Sequence, residues 1–276
     1  MRIGLVGKPN VGKSTFFAAS SLIPVDIANY PFCTIEPNVG FSFIPSRKPC
    51  PCGTLRKRLE EDGRAQLSDE RGGSICSPRT GSCEGHQRYV PCMLVDVAGL
   101  VPGASQGRGR GNAFLSDLAE CDALIQVIDV AGTTDIEGTP TGMKATKEQA
   151  IEQALTEVEF LNGELDAWIH GLVKDGWSRG ARRIQAEGVK GFTQFLQERL
   201  SGLGATDQIC QRSFDAFALQ HQDMASPWDW PDDVLMLLAS SIRKHLFPIF
   251  IAGNKADLAP EGVLDHLQRV LPTFTP

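Results

Sequence analysis

The sequence has no apolar run approaching the ~18 residues that a membrane-spanning helix needs. Its opening, Met1-Arg2-Ile3-Gly4-Leu5-Val6-Gly7, is broken by glycines and lacks the continuous apolar stretch of a signal peptide. It also lacks net positive charge. Its 27 Lys and Arg face 33 Asp and Glu, a formal charge of −6. That argues against a protein that coats nucleic acid, although a local basic patch is compatible with it. There are no internal repeats and no low-complexity tracts. Apolar residues are not scarce: 42% hydrophobic against 22% charged excludes a mainly disordered chain. With no secretion signal, the 8 cysteines do not read as a disulfide framework, and a cytoplasmic protein is expected. A length of 276 residues allows one large domain or two ordinary ones.

Short apolar runs alternate with helical patterns. Arg2–Val6, Val39–Ile44, Tyr89–Asp96, Ala123–Asp129 and Pro248–Ala252 read as strands, and Lys13–Ser20 and Gly111–Cys121 as helices. This alternation predicts an α/β fold with a mostly parallel sheet. Two stretches break the rhythm. Residues 45–88 hold four cysteines and many Gly, Ser and Pro, and read as an excursion with one short helix around Leu55–Glu61. From 144 to 243 the pattern is helical. One stripe runs through Ile151, Leu155, Val158, Leu161, Leu165, Trp168 and Leu172. A second runs through Ala181, Ile184, Phe192, Phe195 or Leu196, Leu200 and Leu203. A glycine-rich turn at 171–180 joins them into an expected αα-hairpin. The expected division is therefore 1–143 plus 244–276 for the α/β domain, with 144–243 inserted.

The chemistry concentrates at strand ends. Gly7-Lys8-Pro9-Asn10-Val11-Gly12-Lys13-Ser14, followed by Thr15, fits G-x-x-x-x-G-K-[ST] between a strand and a helix. Its backbone N–H groups and the helix N-terminus form a phosphate cradle. Lys13 would reach the β- and γ-phosphates and Ser14 would ligate Mg²⁺. Asp96-Val97-Ala98-Gly99 ends a strand: Asp96 can hold Mg²⁺ through water, and the Gly99 amide can meet a γ-phosphate. Asn254-Lys255-Ala256-Asp257 follows another strand and reads guanine. The Asp257 carboxylate accepts from the ring N–H and the exocyclic amine of guanine, a donor pair that adenine lacks. The Lys255 stem can pack on the base. Thr34 lies where a switch threonine would reach Mg²⁺, or else is a turn threonine.

Together these residues resemble the Obg-like branch of translation-factor-class GTPases, and within it the YchF family in its archaeal form. The resemblance rests on Gly7–Thr15, Tyr30–Gly40, Asp96–Ala104, Gly111–Leu115 and Glu159–Leu161, and it covers nearly the whole chain. It implies a P-loop NTPase G domain interrupted by an inserted helical hairpin, with GTP and GDP as ligands and a link to the ribosome or its RNA. Many YchF proteins lack the guanine motif and favour ATP; here Asn254, Lys255 and Asp257 are intact, so GTP is expected. An ATP-preferring ATPase and a nucleotide-binding scaffold without appreciable hydrolysis are the alternatives. The family places an apolar residue where many GTPases have a water-orienting Gln, and Leu100 fits, so hydrolysis is expected to be slow. The family also adds a C-terminal TGS domain. Here the sequence stops at Pro276, one helix after the guanine motif, so an incomplete G domain with no last strand is expected. In related GTPases an Asn at the Asn10 position helps hold K⁺ beside the phosphates; the other reading of Asn10 is a loop-stabilising hydrogen bond.

Cys50, Cys52, Cys76 and Cys83, with His86 nearby, suggest a structural Zn²⁺ clip. Reduced surface thiols or a redox-sensitive pair are the other readings. Cys33, Cys92, Cys121 and Cys210 read as apolar fillers. Lys174, Arg179, Arg182, Arg183 and Lys190 cluster around the hairpin turn with Trp177 among them. They read either as a ribosomal RNA contact, by phosphate neutralisation and stacking, or as a solvated helix end. A monomer is expected.

Overall fold

The computed structural model of the chain describes residues 1–21, 38–64, 76–97, 117–142, 144–222 and 225–276. Ile3, Leu5 and Val6 make β1 (Arg2–Val6) a strand buried on both faces, as a central parallel strand must be. β1 lies between β4 (Gln87–Asp96) and β5 (Ala123–Asp129) and runs parallel to both. β6 (Ile249–Asn254) continues the parallel sheet beside β5. β2 (Asn38–Pro45) closes the other edge, antiparallel to β4. With β7 (Phe274–Thr275) beyond β6, the order is β2-β4-β1-β5-β6-β7, and β3 (Ser82–Glu84) pairs antiparallel with the start of β4. The ends of β1, β4, β5 and β6 therefore lie along one edge, where open α/β sheets bind ligands.

α1 (Lys13–Ser21) packs Phe17 beneath the sheet, and Gly40 on β2 makes room for that ring: a Cβ there would lie 2.9 Å from it. α2 (Cys52–Glu61) begins three residues before the expected helix. Of the helix expected at Gly111–Cys121, residues 111–116 lie outside the described residues, and 117–119 are helical. β7 (Phe274–Thr275) pairs parallel with Ile251 and Ala252, which overturns the expectation that no further strand follows the guanine motif. Two residues carry no alternation signal, so tertiary contact makes this strand. Phe274 is buried against Gly253, where a Cβ would sit 2.8 Å from the ring.

Between β5 and β6 the described residues form the expected helical hairpin and two further α-helices. α3 (Lys147–Lys174) starts at a capping box between Thr146 and Gln149. It turns through Asp175 and Gly176, the latter at φ 92°, into α4 (Trp177–Leu200). Gly188 (φ 67°, ψ −150°) kinks α4. α5 (Asp207–Gln220) and α6 (Asp232–Leu246) complete the set, and α3 packs more closely on α6 than on α4. The first half of α3 (Ala150, Ala154, Val158) covers β5 and β6 together with α7 (Val263–Val270). Its second half (Leu161, Leu165, Ile169, Val173) shares one core with Phe192, Leu196, Leu200, Phe217 and Leu238. One helix thus belongs to the sheet at one end and to the helical layer at the other. The sequence stripes record burial but not partner. α5 and α6 were missed because their apolar positions fall among polar residues such as Gln211, Asp215 and Ser240.

No helix among the described residues is long and apolar enough to cross a membrane. Leu165 is fully buried at the junction of α3, α4 and α6. Leu165→Ala is expected to cost ~2–5 kcal/mol, read as a lower urea midpoint with an unchanged slope.

Candidate nucleotide-binding site

The turn after β1 is shaped by three positions. Gly7 admits no side chain, because a Cβ would lie 2.6 Å from the Val127 carbonyl oxygen. Gly12 has φ 94°, and a Cβ there would collide with the Asn254 amide. Asn10 also takes a left-handed conformation, φ 57°, which Asn tolerates better than most residues. The loop closes with the Phe16 N–H on the Gly12 carbonyl at 2.9 Å, the first turn of α1. Lys13 and Ser14 then both reach Asp96 at the end of β4. The Lys13 ammonium donates to Oδ1, and Ser14 Oγ donates to Oδ2 at 2.7 Å. Asp96 is fully buried. A hydroxyl and a carboxylate so close together form the hard-oxygen donor set that suits Mg²⁺.

The guanine motif is attached to this loop. Asn254 Nδ2 donates to the Val11 carbonyl at 2.8 Å, tying the end of β6 to the P-loop. Lys255, at φ 59°, sends its ammonium to Asp129 Oδ2 (2.8 Å) and Thr133 Oγ1 (2.7 Å). Asp129, at the end of β5, also accepts from the Ala131 and Thr133 N–H groups and the Thr133 and Thr134 hydroxyls. Burial pushes the Asp129 carboxyl up, but Lys255 and these donors outweigh it and hold it below its ordinary value. Asp257 sits in the following 3-10 turn (Ala256–Leu258), exposed and without a hydrogen bond or ion pair among the described residues. Its carboxylate is available to a ligand.

A third connection reaches into the helical layer. The Lys8 ammonium donates to the Thr134 carbonyl at 2.7 Å and pairs with Glu157 Oε1 of α3 at 2.7 Å. Both side chains are almost fully buried, at 2% and 4% exposure. Glu157 Oε2 accepts from the Asp129 N–H at 3.2 Å, and the Glu157 carbonyl accepts from Gln126 Nε2 at 2.8 Å. Glu157 therefore joins the P-loop, the end of β5 and the inserted helices.

Residues 2–162 match the family described as 50S ribosome-binding GTPase. The chain belongs to this GTPase family. Its relatives lie on the YchF and Obg-like side. It is 42% identical to an uncharacterized GTP-binding protein of Methanocaldococcus jannaschii, over 92% of this chain and 56% of that protein. It is 35% identical to one of Schizosaccharomyces pombe, over 92% and 55%. A ribosome-binding ATPase YchF of Mycoplasma genitalium is 40% identical over 45% of this chain and 27% of its own length. A crystal structure of a GTP-binding protein from Pyrococcus horikoshii OT3 matches with a TM-score of 0.65 at 31% identity, over 98% of this chain and 61% of that one. The chain spans about half the length of the curated relatives it matches.

In this chain, Gly7 to Thr15, Asp96 and Asn254 to Asp257 gather at one sheet edge. Thr34, Gly99 and Leu100 lie outside the described residues, as does Cys33. The Lys255 ammonium is held by Asp129 and Thr133. Of the two readings of Asn10, the structure contains the loop-stabilising bond, with Nδ2 donating to the Gly138 carbonyl at 2.9 Å. At the basic turn, Trp177 is partly buried and stacks on Trp230, with Phe192 and Phe195 at its edges. Lys174 pairs with Asp232, and Arg183 with Glu198. Asp129, Thr133 and Glu157 are site residues that motif reading missed. The one available signal was an Asp closing an otherwise apolar strand ahead of Gly132-Thr133-Thr134.

Burial is the main force on Glu157 and raises its carboxyl to about 7, with Lys8 opposing. Between its ordinary value of 4.5 and about 7, the folded chain keeps a proton that the unfolded chain has released. Stability contributed by this group is therefore full below pH ~4.5 and falls as pH rises to ~7. Glu157→Gln removes the titration. The stability of the natural chain relative to Glu157→Gln, from urea unfolding at a series of pH values, is expected to decline across that window and be flat above it.

Proposed function

We propose that this chain is a Mg²⁺-dependent GTP-binding protein that hydrolyses GTP to GDP and phosphate, as an Obg-like regulator acting at the ribosome. The observation that carries the reading is the junction of Asn254 with the P-loop, with the Asp257 carboxylate exposed beside it. A base docked on Asp257 and phosphates docked on residues 7–15 would share one rigid frame.

In this reading the P-loop amides and Lys13 bind the phosphates, and Lys13 offsets charge that grows on them during transfer. Ser14 and Thr34 would hold Mg²⁺, with Asp96 reaching it through water; bound there, the ion neutralises phosphate oxygens. The Gly99 amide senses the γ-phosphate. Asp257 selects guanine. Asn10 Oδ1 would help hold K⁺, and equal hydrolysis rates in potassium and sodium buffers would remove that ion from the reading. The name of the Mycoplasma genitalium relative supports the ribosomal link.

The names of several relatives, Obg-like ATPase 1 among them, favour a second reading in which ATP is the substrate. Titration of GTP against ATP with Mg²⁺ present separates the two. GTP is expected to bind at least tenfold more tightly, and Asp257→Asn to reduce GTP affinity by roughly a hundredfold while leaving ATP nearly unchanged. Tighter binding of ATP by the natural chain would favour the ATPase. Lys13→Ala is expected to abolish single-turnover hydrolysis of labelled GTP. Equal turnover with and without Lys13 would leave only a binding scaffold.

A further inference from the structure

Far from the nucleotide edge, four cysteines meet. β2 runs from Asn38, opposite Asp96, to Pro45, opposite Tyr89, so the segment that follows it lies at the other end of the sheet. There Cys50 and Cys52 come from the link into α2, Cys76 from the approach to β3, and Cys83 from β3 itself. The four sulfur atoms all lie within 4.8 Å of one another. Cys50 and Cys76 are separated by 3.6 Å and Cys52 and Cys83 by 3.7 Å. A disulfide needs ~2.05 Å. A tetrahedron of thiolates at ~2.3 Å from a central zinc has edges of ~3.8 Å. The observed spacing is that of a metal cage.

The backbone is built to hold this arrangement. Gly85 (φ 52°) and His86 (φ 65°) form the two-residue left-handed turn that joins β3 to β4. The turn brings the His86 carbonyl onto the Cys50 N–H at 2.6 Å, closing the two arms on each other. It also lays the His86 ring over Gly53, where a Cβ would stand 3.2 Å from the ring. His86 Nδ1 is 3.1 Å from Cys52 Sγ, the position of an outer hydrogen bond to a metal-bound thiolate. The Cys52 amide donates to the Cys50 sulfur, the same kind of support from the backbone. Cys52 and Cys83 are buried, and Cys50 and Cys76 partly so. Four sulfurs at tetrahedral spacing describe a closed structural site rather than a catalytic one.

We propose that Cys50, Cys52, Cys76 and Cys83 bind one Zn²⁺ that fastens the β2–α2 link to the β3–β4 hairpin, with His86 positioning Cys52. The metal replaces the apolar core that this short, loop-rich excursion lacks.

Elemental analysis of the full chain purified without chelator is expected to find one zinc per molecule. Zinc at background in folded protein that also takes up none when Zn²⁺ is added would overturn the proposal, and so would stoichiometric iron in its place. Substitution with Co²⁺ is expected to give the visible absorption of a tetrahedral four-thiolate site; an octahedral spectrum would count against it. Cys50→Ser and Cys83→Ser should each lower zinc content at least fivefold. Unfolding of these variants leaves a measurement on the natural chain. A mercurial titrant is expected to release the zinc in step with modification of four thiols, and release unconnected to thiol modification would refute thiolate ligation. His86→Phe should keep the metal but release it to a chelator several-fold faster; an unchanged rate would remove the positioning role.

Discussion

A charge taken out of water needs a partner, and three buried carboxylates dominate the nucleotide edge of this protein. Asp96, Asp129 and Glu157 are each matched to one lysine, Lys13, Lys255 and Lys8 in turn. Removing either member of such a pair leaves an uncompensated buried charge, so each contact fixes the segments that carry it. The three pairs fasten the P-loop to β4, the guanine motif to β5, and the P-loop to α3. The elements of this edge share buried charges as well as apolar surface.

This arrangement explains how a helical layer inserted between β5 and β6 stays in register with the site. The first half of α3 is anchored on the sheet by Ala150, Ala154 and Val158, and Glu157 projects from that anchored half to Lys8. The second half spreads into the core of α4, α5 and α6, where Arg243 also pairs with Asp166 at 2.6 Å. A change at the P-loop that displaced Lys8 would be felt directly by α3. At the other end of the sheet the constraint is of a different kind: four sulfurs converge where too little apolar surface exists to hold two arms together.

Much of the candidate site could be read directly because its motifs are local patterns. A glycine that must reach φ 94°, a lysine and a serine opening a helix, and Asn-Lys-x-Asp after a strand each lie within a few consecutive residues. The strands at Arg2–Val6 and Ala123–Asp129 matched because they are uniformly apolar and short. Where several structures satisfy the same local pattern, the partners could not be read. Trp177 lies beside basic residues in sequence and stacks on Trp230, more than fifty positions away. Phe274–Thr275 is a strand only because β6 offers it an edge.

Sequence alone therefore determined the parallel α/β class, the P-loop turn, the aspartate closing β4 and the Asn-Lys-x-Asp segment after β6, because each depends on backbone geometry or residue chemistry within one short segment. Tertiary structure decided which buried charges pair, that the insert is four helices sharing a core with the sheet, and that cysteines from three segments meet at metal-cage spacing. Lys8 and Glu157, or Cys50 and Cys76, leave no periodic trace along the chain. Only folding brings them within 2.7 and 3.6 Å, and burial then makes the Lys8–Glu157 contact costly to lose.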